Sequence, residues 1–121
     1  MGKIKYQIIA LLLACALVTY AGSVVLADDL LAPTIDNKLP TENASSVAVD
    51  TSIQFDIWDT ESGISLNSLI LKINDIDMTT DVVSSGSTAS YNFTYTPAAD
   101  FDYGKTVSVD IYIEDISGIK I

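Results

Sequence analysis

Apolar and polar residues alternate along several short stretches of this chain, and no other feature restricts its fold as strongly. Ile53, Phe55 and Ile57 occupy every second position, with polar residues between them. Successive side chains of a β-strand point to opposite faces, so this pattern predicts a strand that buries one face. The alternation is cleanest over residues 105–114, where the residues predicted to face inward are Val107, Val109, Ile111 and Ile113.

Residues that favour turns separate the predicted strands, which in chain order are 34–38, a brief edge strand at Val47 and Val49, 52–58, 69–73, 76–78, 91–95 and 105–114. Residues 79–90 are rich in Ser, Thr and Gly, and no strand is predicted there. Trp58 is expected to face outward, and Phe101 to plug one end of the fold. Strands at regular spacing, with no helix-period segment after residue 27, predict an all-β antiparallel sandwich.

The composition excludes several classes of function. The chain has a formal net charge of −10, and all sixteen acidic residues lie at or after Asp28. A region this acidic repels phosphate backbones, so no nucleic acid partner is expected. The absence of His and Arg removes the commonest general base and the bidentate phosphate clamp. We therefore predict no enzyme activity, no catalytic residues and no cofactor-binding residues.

The first 27 residues have the three-part layout of a secretory signal peptide. Lys3 and Lys5 precede an apolar run over residues 8–18, and small residues lead to Ala27. Cleavage after Ala27 is the preferred interpretation. An uncleaved membrane anchor over residues 8–27 and a lipoprotein acylated at Cys15 are the alternatives. Each interpretation places the domain outside the cytoplasm, secreted or at the cell surface.

The chain accordingly divides into a signal peptide at 1–27, a linker with the first strand at 28–46, and a sandwich domain at 47–121. Cys15, the only cysteine, lies in the leader, so no disulfide is expected in the domain.

Two stretches carry a resemblance to a known family. Residues 47–78, VAVDTSIQFDIWDTESGISLNSLILKINDIDM, and 91–118, YNFTYTPAADFDYGKTVSVDIYIEDISG, resemble the bacterial immunoglobulin-like (Ig-like) modules of surface and secreted proteins. The likeness extends over about residues 33–118. It departs from the family at Asp75, which replaces the hairpin glycine, and at 116–118, where a turn ending in Asn is typical. The resemblance implies an Ig-like sandwich that serves adhesion, spacing or presentation of another domain.

Such folds close with a strand G, yet few residues follow the predicted strand 105–114. Without strand G that strand would form a long apolar edge, which natural proteins usually avoid. Two explanations are open: the chain is a fragment of a longer multi-domain protein, or a strand from a partner completes the sheet.

Acidic residues at one pole of an Ig-like topology form a candidate calcium site, for which the predicted ligands are Asp59, Glu61, Glu114 and Asp115. Hard oxygen ligands are what Ca²⁺ prefers, and Asp36 or Asn37 could contribute. The competing interpretation is that these acids are solvated loop residues that keep the surface soluble.

The function that we expect is a structural or adhesive role at the cell surface, with neighbouring Ig-like modules or a surface polymer as partners. Contact with a membrane is expected only through an uncleaved leader. The alternative is a carbohydrate-binding module in which Trp58 and Tyr112 form a stacking platform.

Overall fold

The computed structural model describes residues 28–121, which form two antiparallel β-sheets that enclose one core. One sheet has the strand order β1-β2-β6-β5 and the other β4-β3-β7. The strands are β1 Thr34–Leu39, β2 Ile53–Trp58, β3 Ile70–Ile73, β4 Ile76–Asp77, β5 Val82–Ser87, β6 Ser90–Tyr95 and β7 Val109–Tyr112. Two single-turn 3-10 helices lie at Leu66–Ser68 and Thr79–Asp81. The predicted all-β fold of two antiparallel sheets is confirmed, whereas the predicted signal peptide lies outside the described residues.

The core is built by the alternating positions that the sequence predicts. In β2 the buried side chains are Ile53, Phe55 and Ile57, and β6 opposes them with Phe93 and Tyr95. The second sheet adds a further buried set, Leu69, Leu71, Ile73 and Ile113, and Ile64 joins them from the loop after β2. Because alternate side chains of β2, β3 and β6 point inward, the two sheets together remove these groups from water, which is the main stabilising contribution.

Strand β5 was not predicted. It pairs along its whole length with β6, yet its residues are exposed apart from Val82 at its start. An edge strand with both faces polar shows no apolar alternation, so its sequence resembles that of a loop. The predicted edge strand at Val47 and Val49 was wrong, because both residues lie in an irregular segment.

The strand predicted over residues 105–114 is shorter in the structure, where β7 covers only Val109–Tyr112. Val107 and Ile111 pack against the core and Ile113 is buried, but the side chain of Val109 is 40% exposed. Val109 pairs with the buried Ile73, so it points inward at a place where nothing covers it.

In the described part of the chain β7 pairs only with β3, which leaves its other edge open. Residues after β7 begin to pair beside its end: Glu114 and Lys120 form an isolated bridge, and the amide of Ile121 donates to the carbonyl of Ile113 at 3.2 Å. An open groove of about 800 Å³ runs between the sheets beside β7, with a lining that includes Ile35, Leu39, Phe101, Val107, Val109 and Ile111. Phe101 is half-buried in this groove and packs on the core, and its amide donates to the carbonyl of Val49 at 2.8 Å.

Within residues 28–121, the structure has no helix with the length and apolar character that a membrane crossing needs.

Candidate metal centre

Asp59 is the residue that directly follows β2, and its carboxylate organises the loop after that strand. Its Oδ1 accepts hydrogen bonds from the amides of Glu61 and Gly63, both at 2.8 Å. Its own amide donates to the carbonyl of Ala89 at 3.0 Å. Short aspartate side chains commonly bind the amides of the residues that follow them in a turn. These hydrogen bonds hold the Asp59 carboxylate in place at a position where the residue is only 6% exposed.

Gly63 allows this loop to fold back on itself. Its φ of +90° lies in the left-handed region, where a side chain is strained. A Cβ at this position would meet the carbonyl oxygen of Thr88 at 3.1 Å and the Cβ of Thr88 at 3.2 Å. The loop around Asp59 therefore depends on glycine at this position.

Asp115 lies in the loop after β7, and hydrogen bonds join this loop to the loop of Asp59. Ile64 and Asp115 form an antiparallel bridge, and the amide of Ile116 donates to the carbonyl of Gly63 at 2.8 Å. The Oδ1 of Asp115 accepts from the amide of Ile119 at 2.8 Å. These contacts fix the position of Asp115 relative to Asp59, although the two residues follow strands of different sheets.

Asp29 reaches the same place from the segment that precedes β1. Its Oδ2 accepts from the amide of Ser62 at 3.1 Å, and its Oδ1 accepts from the amide of Leu31 at 3.2 Å. The amide of Leu30 donates to Oε2 of Glu61 at 3.0 Å. The segment 28–33 therefore crosses the loop of Asp59, and Pro33 at its end is buried.

The three aspartates together form a carboxylate cluster, which we call the aspartate triad (Asp29, Asp59 and Asp115). One oxygen from each lies within 4.8 Å of the other two. Asp29 is half-buried, and Asp115 is only 1% exposed. The Oδ2 of Asp115 is fully buried and has no hydrogen-bond partner in the described structure. Buried polar atoms nearly always have a partner, so this oxygen marks a place where one is missing.

The three carboxylates of the aspartate triad repel one another when they are ionised. One oxygen from each lies within 4.8 Å of the other two, a separation at which like charges interact directly. The ion pairs of the described lysines lie elsewhere, between Lys38 and Glu42 and between Lys120 and Glu114. Among residues 28–121, therefore, no salt bridge compensates the negative charge of the triad.

Hydrogen bonding keeps Asp29 ionised. Hydrogen bonds from the Ser62 hydroxyl and from the amides of Leu31 and Ser62 lower the pKa of the Asp29 carboxyl to about 2. The carboxylate of Asp29 is therefore charged at every pH at which the protein would be expected to work.

The structure brings together two of the four predicted calcium ligands, Asp59 and Asp115. Glu61 lies next to the triad, but its carboxylate accepts from the amide of Leu30. Glu114 points to Lys120, with Oε2 and Nζ 4.0 Å apart. The two further candidates, Asp36 and Asn37, lie in β1, and the Asn37 amide donates to Asp56.

Asp29 was not among the predicted ligands. It belongs to the segment interpreted as a linker, and nothing in its local sequence shows that the chain passes over the loop of Asp59. The one available signal was the position of Asp28 and Asp29 just before the first predicted strand, which in a sandwich starts near the loop that follows β2.

The chemistry of the triad restricts the ions that it could hold. Its ligand atoms are carboxylate oxygens, which suit Ca²⁺, Mg²⁺ and Mn²⁺, whereas zinc sites are usually built with His nitrogen or Cys sulfur. Residues 28–121 contain neither His nor Cys. The triad is thus a candidate for a hard divalent cation.

The predicted stacking platform is not brought together. Trp58 lies in β2 of the four-stranded sheet and Tyr112 in β7 of the other sheet, and both side chains are exposed on the outside of their sheets. Tyr112 instead has the ammonium of Lys72 over its ring, 6.0 Å from the centroid.

Comparisons of this chain with protein-family models, with curated proteins and with solved structures found no match.

Proposed function

We propose that this chain is a non-catalytic, extracytoplasmic module of Ig-like type with a structural or adhesive role at the cell surface. The observation that carries the proposal is the order of the strands. In Ig-like sandwiches strands A, B, E and D form one sheet and strands C, F and G form the other, with C′ beside C in some types. When the strands are lettered in chain order, the sheet order β1-β2-β6-β5 agrees with the order A-B-E-D.

The second sheet follows the same correspondence. Its order β4-β3-β7 agrees with the order C′-C-F. Strand G would lie beside β7, at the edge that is open in the described part of the chain. Two independent sheets that agree with one arrangement support an Ig-like topology more strongly than the alternating sequence pattern does.

Charge and layout support a location outside the cytoplasm. The leader pattern of residues 1–27 precedes a strongly acidic domain that has neither His nor Arg. The outer face of the four-stranded sheet carries polar side chains such as Gln54, Asp56, Asn92 and Thr94, apart from Trp58 and Val83. A polar, acidic outer surface suits a domain that stays soluble and holds or presents other groups.

Export can be tested in a bacterial host with the full chain and a C-terminal epitope tag. We expect a protease added to intact cells to remove the tag, or the tagged chain to appear in the medium. A control variant with Leu11→Arg and Leu13→Arg interrupts the apolar run of the leader and should keep the tag inside the cells. Retention of the unmutated chain in the cytoplasm would contradict the proposal.

The carbohydrate-binding alternative has weaker support, because Trp58 and Tyr112 lie on the outer faces of different sheets. It now requires Trp58 alone as the stacking residue. A glycan array probed with the full chain and with Trp58→Ala distinguishes the two functions: loss of a specific glycan signal in the variant would favour carbohydrate binding, and an array without signal would favour the structural role.

A further inference from the structure

We propose that the aspartate triad binds one Ca²⁺ ion, and that this ion fastens the segment 28–33 to the end of the sandwich.

The first argument is the missing partner of Asp115. A carboxylate that is 1% exposed has lost its hydration, and its Oδ2 has no donor within the described structure. Leaving a buried charge unpaired is costly, and the cost is usually removed by pairing with another charge or by a metal ion. Asp59 and Asp29 bring further negative charge within 4.8 Å, so neither of them can fill that role. A bound cation would supply the positive charge that compensates all three carboxylates.

The second argument is the rigidity of the site. The carboxylates of Asp59 and Asp115 each accept amide hydrogen bonds from their own loops, and the Ile64–Asp115 bridge joins these loops. The protein thus holds two buried negative groups together through hydrogen bonds that do not cancel their repulsion. Loops of solvated acids would let such groups turn apart into water, whereas a binding site keeps its ligands in place.

The third argument selects calcium. Ca²⁺ binds oxygens at about 2.3–2.6 Å, so one ion can contact oxygens that are up to about 5 Å apart. Mg²⁺ requires about 2.0–2.1 Å and near-ideal octahedral geometry, and it usually keeps several waters and is held by only one or two carboxylates. The three carboxylate groups offer several oxygens, and water would complete the six to eight that Ca²⁺ usually takes. The charge, the ligand type and the spacing all fit calcium.

Because Asp29 belongs to segment 28–33, ion binding at the triad would also fix this segment to the loop of Asp59. The polar contacts of segment 28–33 to the loop of Asp59 include the hydrogen bonds from the amide of Ser62 to Asp29 and from the amide of Leu30 to Glu61. Both involve residues with solvent access, and repulsion from Asp59 and Asp115 opposes them. Without the ion the segment is expected to leave the loop. With the ion Asp29 becomes a ligand, and the segment that joins the leader to the sandwich becomes fixed.

This inference deepens the proposed function, because it rests on an extracytoplasmic setting for its supply of Ca²⁺. The affinity expected for such a module is on the order of 10⁻⁴ to 10⁻³ M. Ion binding is measured on the purified protein and export is measured in cells, so either result can fail without the other.

The experiment uses the purified full chain in a mild nonionic detergent, after treatment with a chelator. Calorimetric titration with CaCl₂ should give one ion per chain. Addition of 10 mM CaCl₂ should raise the Tm by on the order of 5 to 10 °C. The absence of both effects would overturn the proposal, and an equal response to MgCl₂ would overturn the choice of calcium.

Two variants test the ligands. Asp115→Asn keeps an oxygen for the amide of Ile119 but removes a charge, so it should abolish the calcium response and have a higher Tm than the unmutated chain in chelator. Asp29→Asn should weaken binding by about tenfold or more and should not unfold the sandwich, because Asp29 lies outside its strands. Asp28→Asn is the matched control, an exposed neighbour with the same change of charge, and should bind as the unmutated chain does.

Hydrogen exchange at the amides of Leu30 and Leu31 tests the fastening of the segment. We expect Ca²⁺ to slow exchange at both amides in the unmutated chain and in Asp28→Asn, but not in Asp29→Asn. Ca²⁺ binding without any change at these amides would contradict the role of Asp29.

Discussion

The aromatic rings of Phe55 and Phe93 stack across β2 and β6, with their centroids 5.1 Å apart and their planes at 20°. The two residues are directly opposed in the strand pairing, and each is 1% exposed. Aromatic pairs contribute about 0.5–1.5 kcal/mol beyond the burial of their surface. This pair therefore adds an aromatic contact to the buried face of the four-stranded sheet.

Truncation of this pair should be costly. We expect Phe93→Ala to lower the free energy of unfolding by about 3–5 kcal/mol, because the change removes buried surface and leaves a cavity. Urea denaturation followed by circular dichroism measures the change. Val83→Ala in the neighbouring strand is the control, since Val83 is 71% exposed, and it should stay within about 0.5 kcal/mol. A loss below about 1 kcal/mol for Phe93→Ala would contradict the described core.

Replacement of Gly63 and of Gly104 by alanine distinguishes backbone strain from steric overlap of the added methyl group. Both have positive φ, +90° and +73°, but only Gly63 has atoms near its missing Cβ. Gly104→Ala should cost about 1–2 kcal/mol, the strain of the left-handed region alone. Gly63→Ala should cost more, because the new methyl group meets the backbone of Thr88. Thermal unfolding of both variants tests this order, and equal costs would show that the loop shifts freely.

The carboxylate of Asp56 is bound by two amide side chains, those of Asn37 and Asn92. These hydrogen bonds, that of Asn37 first, lower the pKa of Asp56 below its ordinary value. A lowered pKa in the folded state stabilises the protein above the unfolded pKa of about 3.9, and this stabilisation is lost as the pH falls through the folded pKa.

Asp56→Asn should therefore destabilise the fold at pH 7, by on the order of 1 kcal/mol. The difference from the unmutated chain should shrink as the pH falls below about 4. Unfolding curves measured between pH 7 and pH 2 test this expectation. Asp102→Asn, in an exposed loop, controls for the change of net charge. A difference that stays constant over this range would show that the hydrogen bonds of Asp56 do not depend on its charge.

The open edge of β7 predicts self-association. An unpaired strand edge beside an open groove is a template for a further strand, and a second copy of the chain can supply one. We expect sedimentation velocity to show association that increases with concentration, and Val109→Lys to abolish it. Val83→Lys makes the same change on the outer face of the other sheet and should have no effect. A chain that stays monomeric at high concentration would contradict this prediction.

The sandwich could be predicted because apolar and polar residues alternate along the strands that form its inner faces. Ile53, Phe55 and Ile57 are each separated by one polar residue, and burial of every second side chain is the physical cause of both the pattern and the fold. Strand β5 could not be predicted in this way, because backbone hydrogen bonds to β6 hold it in place and its side chains are exposed. Backbone hydrogen bonds do not require an alternation of apolar and polar residues. Val47 and Val49 show the converse, since two apolar residues in alternation do not make a strand without a neighbour to pair with.

The site was predictable only where it follows the strands. Asp59 and Asp115 directly follow the ends of predicted strands that share a pole, so topology alone brings them together. Glu61 lies two residues from Asp59 and Glu114 one residue from Asp115, and their carboxylates bind Leu30 and Lys120 instead. Asp29 depends on the path of an irregular segment across a loop, which is set by single hydrogen bonds such as that from Ser62.

The segment that enters the sandwich at Asp29 and the segment that leaves it at Asp115 lie side by side. Tension applied at residues 28 and 121 would consequently load the contacts of Asp29 and those that tie Ile119 and Ile121 to Asp115 and Ile113 first. The hydrophobic interior around Phe55 would carry no force until these contacts had broken. The calcium ion that we propose would then add to the mechanical strength of this end of the domain.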